Sequence, residues 1–194
     1  MRTTKTLTLI AIFTSLIIAS DYALAPIYNV KLMDTLVFSA AYSFGFRIAA
    51  SIAILSESIW SVVNPTGFYL PIIPFLLAGE LLFVLAGYFA SKIWKIQDFS
   101  GLSSRNLFFG AILAICAFVW GFEVNVATGL LLGARSLIQL LAYEVAGIYF
   151  DIAHEVSNFI LGATLAPFVI LMFRRYALGL QTFQAAQIAP QNPQ

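Results

Sequence analysis

The sequence predicts an all-α integral membrane protein: a compact bundle of about six transmembrane helices with both termini in the cytoplasm. Hydrophobic residues make up 61% of the chain and only 10% of the residues are charged, whereas soluble domains are about half apolar and about a quarter charged. The mean hydropathy is +0.92. Because so few charges cannot solvate the surface of a 194-residue globule, we expect lipid to surround most of the protein.

Six apolar segments are candidate membrane spans, because a spanning helix needs roughly 20 mostly apolar residues. They are residues 7–25, 32–44, 48–63, 69–93, 107–124 and 152–173. The second segment is short, and only the region of Gly45 and Arg47 separates it from the third. Residues 128–149 are also apolar but include Arg135 and Glu144. This last segment is therefore re-entrant, interfacial or a seventh span.

The basic residues set the predicted orientation, because Lys and Arg in short loops favour the cytoplasmic side. With six spans and a cytoplasmic N-terminus, eight of the ten basic residues fall inside, and only Lys31 and Arg135 fall outside. The inside set is Arg2, Lys5, Arg47, Lys92, Lys95, Arg105, Arg174 and Arg175. We therefore expect a multi-pass protein of the cell membrane, in which residues 1–176 form one domain and residues 177–194 form a polar, flexible tail.

The acidic residues gather in the outer half of this topology. That group is Asp21, Asp34, Glu57, Glu123, Glu144, Asp151 and Glu155. Glu80 lies near mid-depth, and both Glu80 and Glu57 stand well inside apolar runs. Ionisable groups at membrane depth are costly and usually face a cavity or a partner. The pattern favours a pocket that opens outward, while helix caps and interfacial residues are the alternative, above all for Asp34, Glu123 and Glu144.

A polar motif in the last segment raises the question of catalysis. Asp151, His154, Glu155 and Asn158 follow helical spacing, and the Asp-x-x-His-Glu donor set suits zinc. His154 is the only histidine, however, and the chain has no Walker motif. The net charge of +1 provides no basic field for nucleic acid, and the single Cys116 cannot form an intrachain disulfide. We expect no metal, no cofactor and no enzymatic activity; a membrane-embedded hydrolase using His154 and Glu155 and a ligand-free assembly protein are the alternatives.

Three stretches of the chain carry a resemblance to a known family. They are Asn29–Ala50 (NVKLMDTLVFSAAYSFGFRIAA), Asn64–Phe68 (NPTGF) and Gly147–Phe168 (GIYFDIAHEVSNFILGATLAPF). All three are similar to segments of the S components of energy-coupling factor (ECF) transporters, the membrane subunits that bind vitamins and related micronutrients. The chain departs from the family pattern at Tyr149, where proline is expected.

The resemblance implies a high-affinity substrate-binding subunit of an ATP-driven importer of a vitamin or related micronutrient. Two partner ATPase subunits would hydrolyse ATP, and a membrane coupling subunit would connect them to this chain. It also implies that the whole subunit topples in the membrane and that the loop at residues 25–31 acts as a gate. Ala11, Ser15 and Ala19, spaced four apart on the first helix, would dock on the coupling subunit; packing inside the bundle is the alternative.

The residues expected to bind substrate are polar and aromatic side chains. The polar set is Glu57, Asn64, Glu80, Asn125, His154 and Asn158. The aromatic set, which would stack on a planar ring, is Trp60, Tyr69, Trp120 and Tyr149. Interfacial anchoring explains such aromatic residues about as well, and a structural hydrogen bond is the alternative role of His154.

Overall fold

The computed structural model describes residues 3–65, 67, 69–96 and 103–188. Its helices are α1 (Thr3–Leu24), α2 (Met33–Phe44), α3 (Phe46–Val63), α4 (Ile73–Ile93), α5 (Ser104–Leu131) and α6 (Leu137–Ile188), with a 3-10 turn at Leu70–Ile72 before α4. No β-strand occurs among the described residues, so the all-α prediction is confirmed. All of these helices except α2 are long and apolar enough to cross a membrane. The architecture is that of a multi-pass membrane bundle with five long helices, one fewer than the six spans predicted.

Helix α2 is the internal helix of the bundle. Every residue from Met33 to Ala41 is buried, and the helix packs against α1, α3, α4 and α6. Its 12 residues give a length of about 18 Å, well short of the roughly 30 Å hydrocarbon core. The second predicted span is therefore a short core helix, surrounded by longer helices instead of lipid.

Two side-chain hydrogen bonds define how the helix ends are arranged. The Tyr22 hydroxyl, near the end of α1, donates to the carbonyl of Val63 at the end of α3. The Tyr42 hydroxyl, near the end of α2, donates to the carbonyl of Trp94 just after α4, at 2.5 Å. Helices α1 and α3 thus end together at one end of the bundle, which we call the upper end, and α2 and α4 end together at the other.

Glycines allow several helices to approach closely. A Cβ atom at Gly87 of α4 would overlap the carbonyl oxygen of Phe38 in α2. Between α5 and α6, a Cβ at Gly110 would lie 2.5 Å from the carbonyl oxygen of Phe159, and one at Gly162 would lie 3.0 Å from the Cα of Gly110. Small residues at such contacts are the usual means by which membrane helices pack tightly.

Helices α5 and α6 form a long hairpin that the sequence reading divided incorrectly. The fifth and sixth spans were predicted at 107–124 and 152–173, but α5 continues to Leu131 and α6 begins at Leu137. The segment 128–149 is therefore not a separate helix, because it supplies the last turn of α5, the connection and the first turns of α6. The 28 residues of α5 extend about 42 Å, so α5 must tilt or project beyond the hydrocarbon.

Helix α6 continues to Ile188, into the segment 177–194 that the sequence predicts to be a polar, flexible tail. The flexibility of this segment stays a prediction. Residues 189–194 lie outside the described residues, as do Thr66 and Phe68 of the NPTGF motif.

Candidate ligand-binding site

A cavity of about 670 Å³ lies at the upper end of the bundle. Its wall is built from the end of α1, the connection between α1 and α2, the end of α3, the start of α4, and the facing surfaces of α5 and α6. This volume falls within the range of about 300–1,000 Å³ that is typical of small-molecule sites. The cavity therefore has the size of a site for a compact organic solute.

Two buried carboxylates line the cavity and share one arrangement. Asp21 and Glu57 are each only 1% exposed. The backbone N–H of Leu32 donates to Asp21 Oδ1 at 2.9 Å, and the Ser61 hydroxyl donates to Glu57 Oε1 at 2.9 Å. The second oxygens, Asp21 Oδ2 and Glu57 Oε2, have no hydrogen-bond partner among the described residues. Since an unsatisfied buried acceptor is costly, each carboxylate is held in place with one oxygen available to a ligand.

Lys31 supplies the positive charge of the cavity. Its ammonium lies 5.1 Å from the ring centroid of Trp120, which is cation–π geometry. Burial lowers the pKa of this loop lysine, but the nearby carboxylates, above all those of Glu57 and Asp34, outweigh the burial and raise it. Lys31 is therefore positively charged at neutral pH, although it forms no ion pair with any residue in the described ranges.

A cluster of polar side chains lies behind the cavity wall. Asn158 Nδ2 donates to Asp34 Oδ2 at 2.7 Å and to the carbonyl oxygen of His154 at 3.1 Å. His154 Nε2 lies 3.3 Å from the same Asp34 oxygen, and His154 Nδ1 lies 3.0 Å from the carbonyl oxygen of Asn29. A carbonyl oxygen only accepts, so the hydrogen bond to Asn29 requires a hydrogen on Nδ1, and Nε2 has no hydrogen-bond partner among the described residues. Glu80, 1% exposed, lies beside Asp34.

The α5–α6 side of the cavity is shaped by glycines. Asn125 Nδ2 donates to Asp151 Oδ2 at 2.7 Å and to Glu144 Oε2 at 3.4 Å. A Cβ at Gly121 would lie 2.8 Å from Asp151 Oδ1, and a Cβ at Gly147 would lie 2.5 Å from Asn125 Nδ2. Any larger residue at either glycine would push one of these polar side chains out of place.

The connection between α1 and α2 is tied to α6 through one residue. Asn29 has a φ of +57°, a conformation that asparagine tolerates better than most residues. Its side chain donates to the carbonyl oxygen of Phe150 at 3.0 Å, and its own carbonyl contacts His154. The ring of Tyr28 also packs on that of Phe150, with 5.5 Å between centroids. The loop at 25–31 therefore crosses from α1 to α6 and covers one side of the cavity.

The structure divides the predicted substrate-binding residues into three groups. Those on the cavity wall are Glu57, Asn64, Asn125 and Trp60, together with the aromatic residues Tyr69 and Trp120. Those buried behind the wall are Glu80, His154 and Asn158. Tyr149 belongs to neither group, because it is 73% exposed and its neighbour Phe150 lines the cavity instead. Helix α6 is continuous through this position, and adjacent residues of a helix point about 100° apart.

Sequence reasoning missed three charged residues of the wall: Asp21, Lys31 and Asp151. Asp21 carried a usable signal, since it is the only acid in the apolar first segment. Lys31 carried none, because a lysine between two spans resembles an ordinary loop residue. Asp21 and Asp151 were among the outer acids that predicted a pocket, but neither was named as a substrate-binding residue.

The small residues of α1 lie on an exposed face. Ala11, Ser15 and Ala19 are all exposed, whereas Phe13 and Ile17, on the opposite face, are 2% and 0% exposed and belong to the core. In the described part of the chain, this face therefore does not pack inside the bundle. The stripe is available for contact with lipid or with another helix.

His154 and Glu155 do not form a catalytic pair. His154 is 1% exposed and faces Asp34 and Trp120, while Glu155 lines a separate depression of about 190 Å³ formed by α5 and α6. Among the described residues, no three His, Cys, Asp or Glu side chains are placed to hold a metal ion. The geometry offers no support for the metal or hydrolase alternatives.

Comparisons with protein-family models, with curated proteins and with solved structures found no match to this chain.

Proposed function

We propose that this protein is the substrate-binding membrane subunit of an ATP-driven importer of the ECF type, and that it captures a vitamin-like solute. The observation that carries the proposal is the cavity at the upper end of the bundle. It combines a suitable volume with two buried carboxylates, Asp21 and Glu57, whose second oxygens are unpartnered. Polar groups placed this deeply in an apolar bundle are costly and are typical of substrate sites.

The rest of the wall supports a site for a small organic molecule. Trp60 and Tyr69 present aromatic surface, and Asn64 and Asn125 present amide groups. Small-molecule sites commonly combine an apolar or aromatic wall with a few fixed polar groups that orient the ligand. A ligand-free assembly protein would leave the unpartnered oxygens of Asp21 and Glu57 without a role, although unsatisfied buried polar atoms are costly.

Two further features favour a subunit that works with partners. The chain has no nucleotide-binding motif, so ATP would be hydrolysed by two partner ATPase subunits. The face of Ala11, Ser15 and Ala19 is exposed and small, which suits close docking of a helix from a membrane coupling subunit. In this scheme the upper end faces outward, the loop at 25–31 gates the cavity, and the whole subunit topples to deliver its solute.

Native mass spectrometry of protein purified gently in lipid nanodiscs tests the proposal. We expect a bound small molecule in the wild type and its loss, or at least a tenfold lower occupancy, in Glu57→Gln, since an unpaired partner typically costs about 1–3 kcal/mol. Glu123→Gln is the matched control, because it removes the same charge from an α5 position outside the cavity. Equal occupancy in both variants would place the molecule elsewhere and remove the support for this site.

A further inference from the structure

We propose that the solute is a compact organic cation that presents at least two N–H donors, such as an amidinium or a protonated amino-heterocycle. This inference rests on the proposed function and specifies the chemistry of the same cavity. It follows from two features of the site: the excess of acids over bases, and two acceptor oxygens on the wall that have no hydrogen-bond partner among the described residues.

The first feature is the charge of the wall. Asp21, Glu57 and Asp151 line the cavity, against the single cation Lys31. Behind the wall lie two further acids, Asp34 and Glu80, which share the single cation Lys31 with Glu57. Uncompensated carboxylates in a low-dielectric bundle are strongly unfavourable. A cationic ligand would relieve this imbalance, whereas an anionic ligand would increase it.

The second feature is the set of unpartnered polar atoms. The free acceptor oxygens around the cavity and behind it are Asp21 Oδ2, Glu57 Oε2, Asp34 Oδ1 and Glu80 Oε2. Donors are also present, among them the unpartnered Trp120 Nε1 and the Lys31 ammonium on the wall. The wall residues with a free acceptor are Asp21 and Glu57, and each is fixed by a protein donor on its other oxygen. A ligand with several N–H groups matches this pattern, since carboxylates bind such donors through short charge-assisted hydrogen bonds.

The aromatic residues add to the preference for a cation. Lys31 already occupies a position over the Trp120 ring, so stacking on a ligand is left to Trp60 and Tyr69, which also line the wall. Aromatic faces attract organic cations through their quadrupole. A flat cationic ring would contact these side chains while its N–H groups reach Glu57, which lies one turn before Ser61 on the same helix as Trp60.

Three probes of equal shape and different charge test the inference: benzamidinium, benzamide and benzoate. Binding to nanodisc-embedded protein, dialysed free of solute, is measured by calorimetry. We expect benzamidinium to bind at least about tenfold more tightly than benzamide, and benzoate to bind most weakly. Glu57→Gln should remove most of the preference for benzamidinium over benzamide, and Glu123→Gln should keep it. Asp21→Asn is the second variant should Glu57→Gln fail to fold.

The outcomes separate the ligand class from the function. Equal affinity for the three probes, or a preference for benzoate, overturns the cation inference. If in that case Trp60→Ala still weakens the binding of the preferred probe, the cavity remains a solute site and the proposed function stands. If Trp60→Ala changes the binding of no probe, the cavity is not the site, and the proposed function loses its support as well.

Discussion

Replacing Asn158 with alanine should destabilise the ligand-free protein far more than a change at a neighbouring residue that bonds only within its own helix. Asn158 is fully buried, and its amide group donates to Asp34 at 2.7 Å and to the carbonyl oxygen of His154 at 3.1 Å. Loss of a hydrogen bond to a charged group costs about 1.5–3 kcal/mol, and a buried carboxylate left short of a donor adds to that cost. We therefore expect Asn158→Ala to lower the free energy of unfolding by about 2–4 kcal/mol.

The assay is the free energy of unfolding in lipid bicelles, measured by steric trapping without ligand. Ser157→Ala is the matched control on the same helix, since Ser157 only donates locally to the carbonyl oxygen of His154; we expect a change of less than about 0.5 kcal/mol. A double-mutant cycle with Asp34→Asn should give a coupling energy of about 1–3 kcal/mol. Additive effects of the two substitutions would refute the inference that Asp34 and Asn158 act as one buried unit.

Three further predictions address docking, topology and the cavity wall. Ala11→Leu combined with Ser15→Leu should abolish uptake in cells and leave solute affinity of the isolated subunit within about twofold, since leucine blocks close helix approach on an exposed face; an equal loss of affinity would contradict this. In a cysteine-free background, Ser136→Cys in the α5–α6 turn should react with an impermeant thiol reagent added outside the cell and Ser103→Cys should not, and reversed labelling would invert the topology. Gly79→Ala should displace the Trp120 indole, which a Cβ at position 79 overlaps, and thereby weaken solute binding at least about tenfold; unchanged affinity and Trp fluorescence would show that the indole is not held there.

The long helices could be predicted because apolar length is a local property of the sequence. The bounds of α3 and α4 lie within a few residues of the predicted ones. The α5–α6 hairpin was divided incorrectly because Arg135 and Glu144 interrupt its apolar pattern. Arg135 is exposed in the connection, and Glu144 is paired with Asn125, so neither residue interrupts a helix.

The cavity could be predicted only where its residues stand inside apolar segments. Glu57 is conspicuous in such a segment, and it lies on the wall. The position of Lys31 depends instead on how the loop folds back over the bundle, which no local pattern encodes. Tyr149 was assigned to the site as an aromatic residue that could stack on a planar ring, and the continuous α6 directs that side chain outward.

The contacts of the loop at 25–31 link its position to the state of the cavity. The loop is held at its C-terminal end by Asp21, whose Oδ1 accepts from the N–H of Leu32, and near its middle by Asn29, whose carbonyl contacts His154. Asp21 is also a wall residue with a free oxygen. A cationic solute bound to that oxygen would share the Asp21 side chain with Leu32, which donates to the other oxygen. Under the proposed function, solute binding and the position of the loop would therefore depend on one common group, which a gate that responds to its own substrate requires.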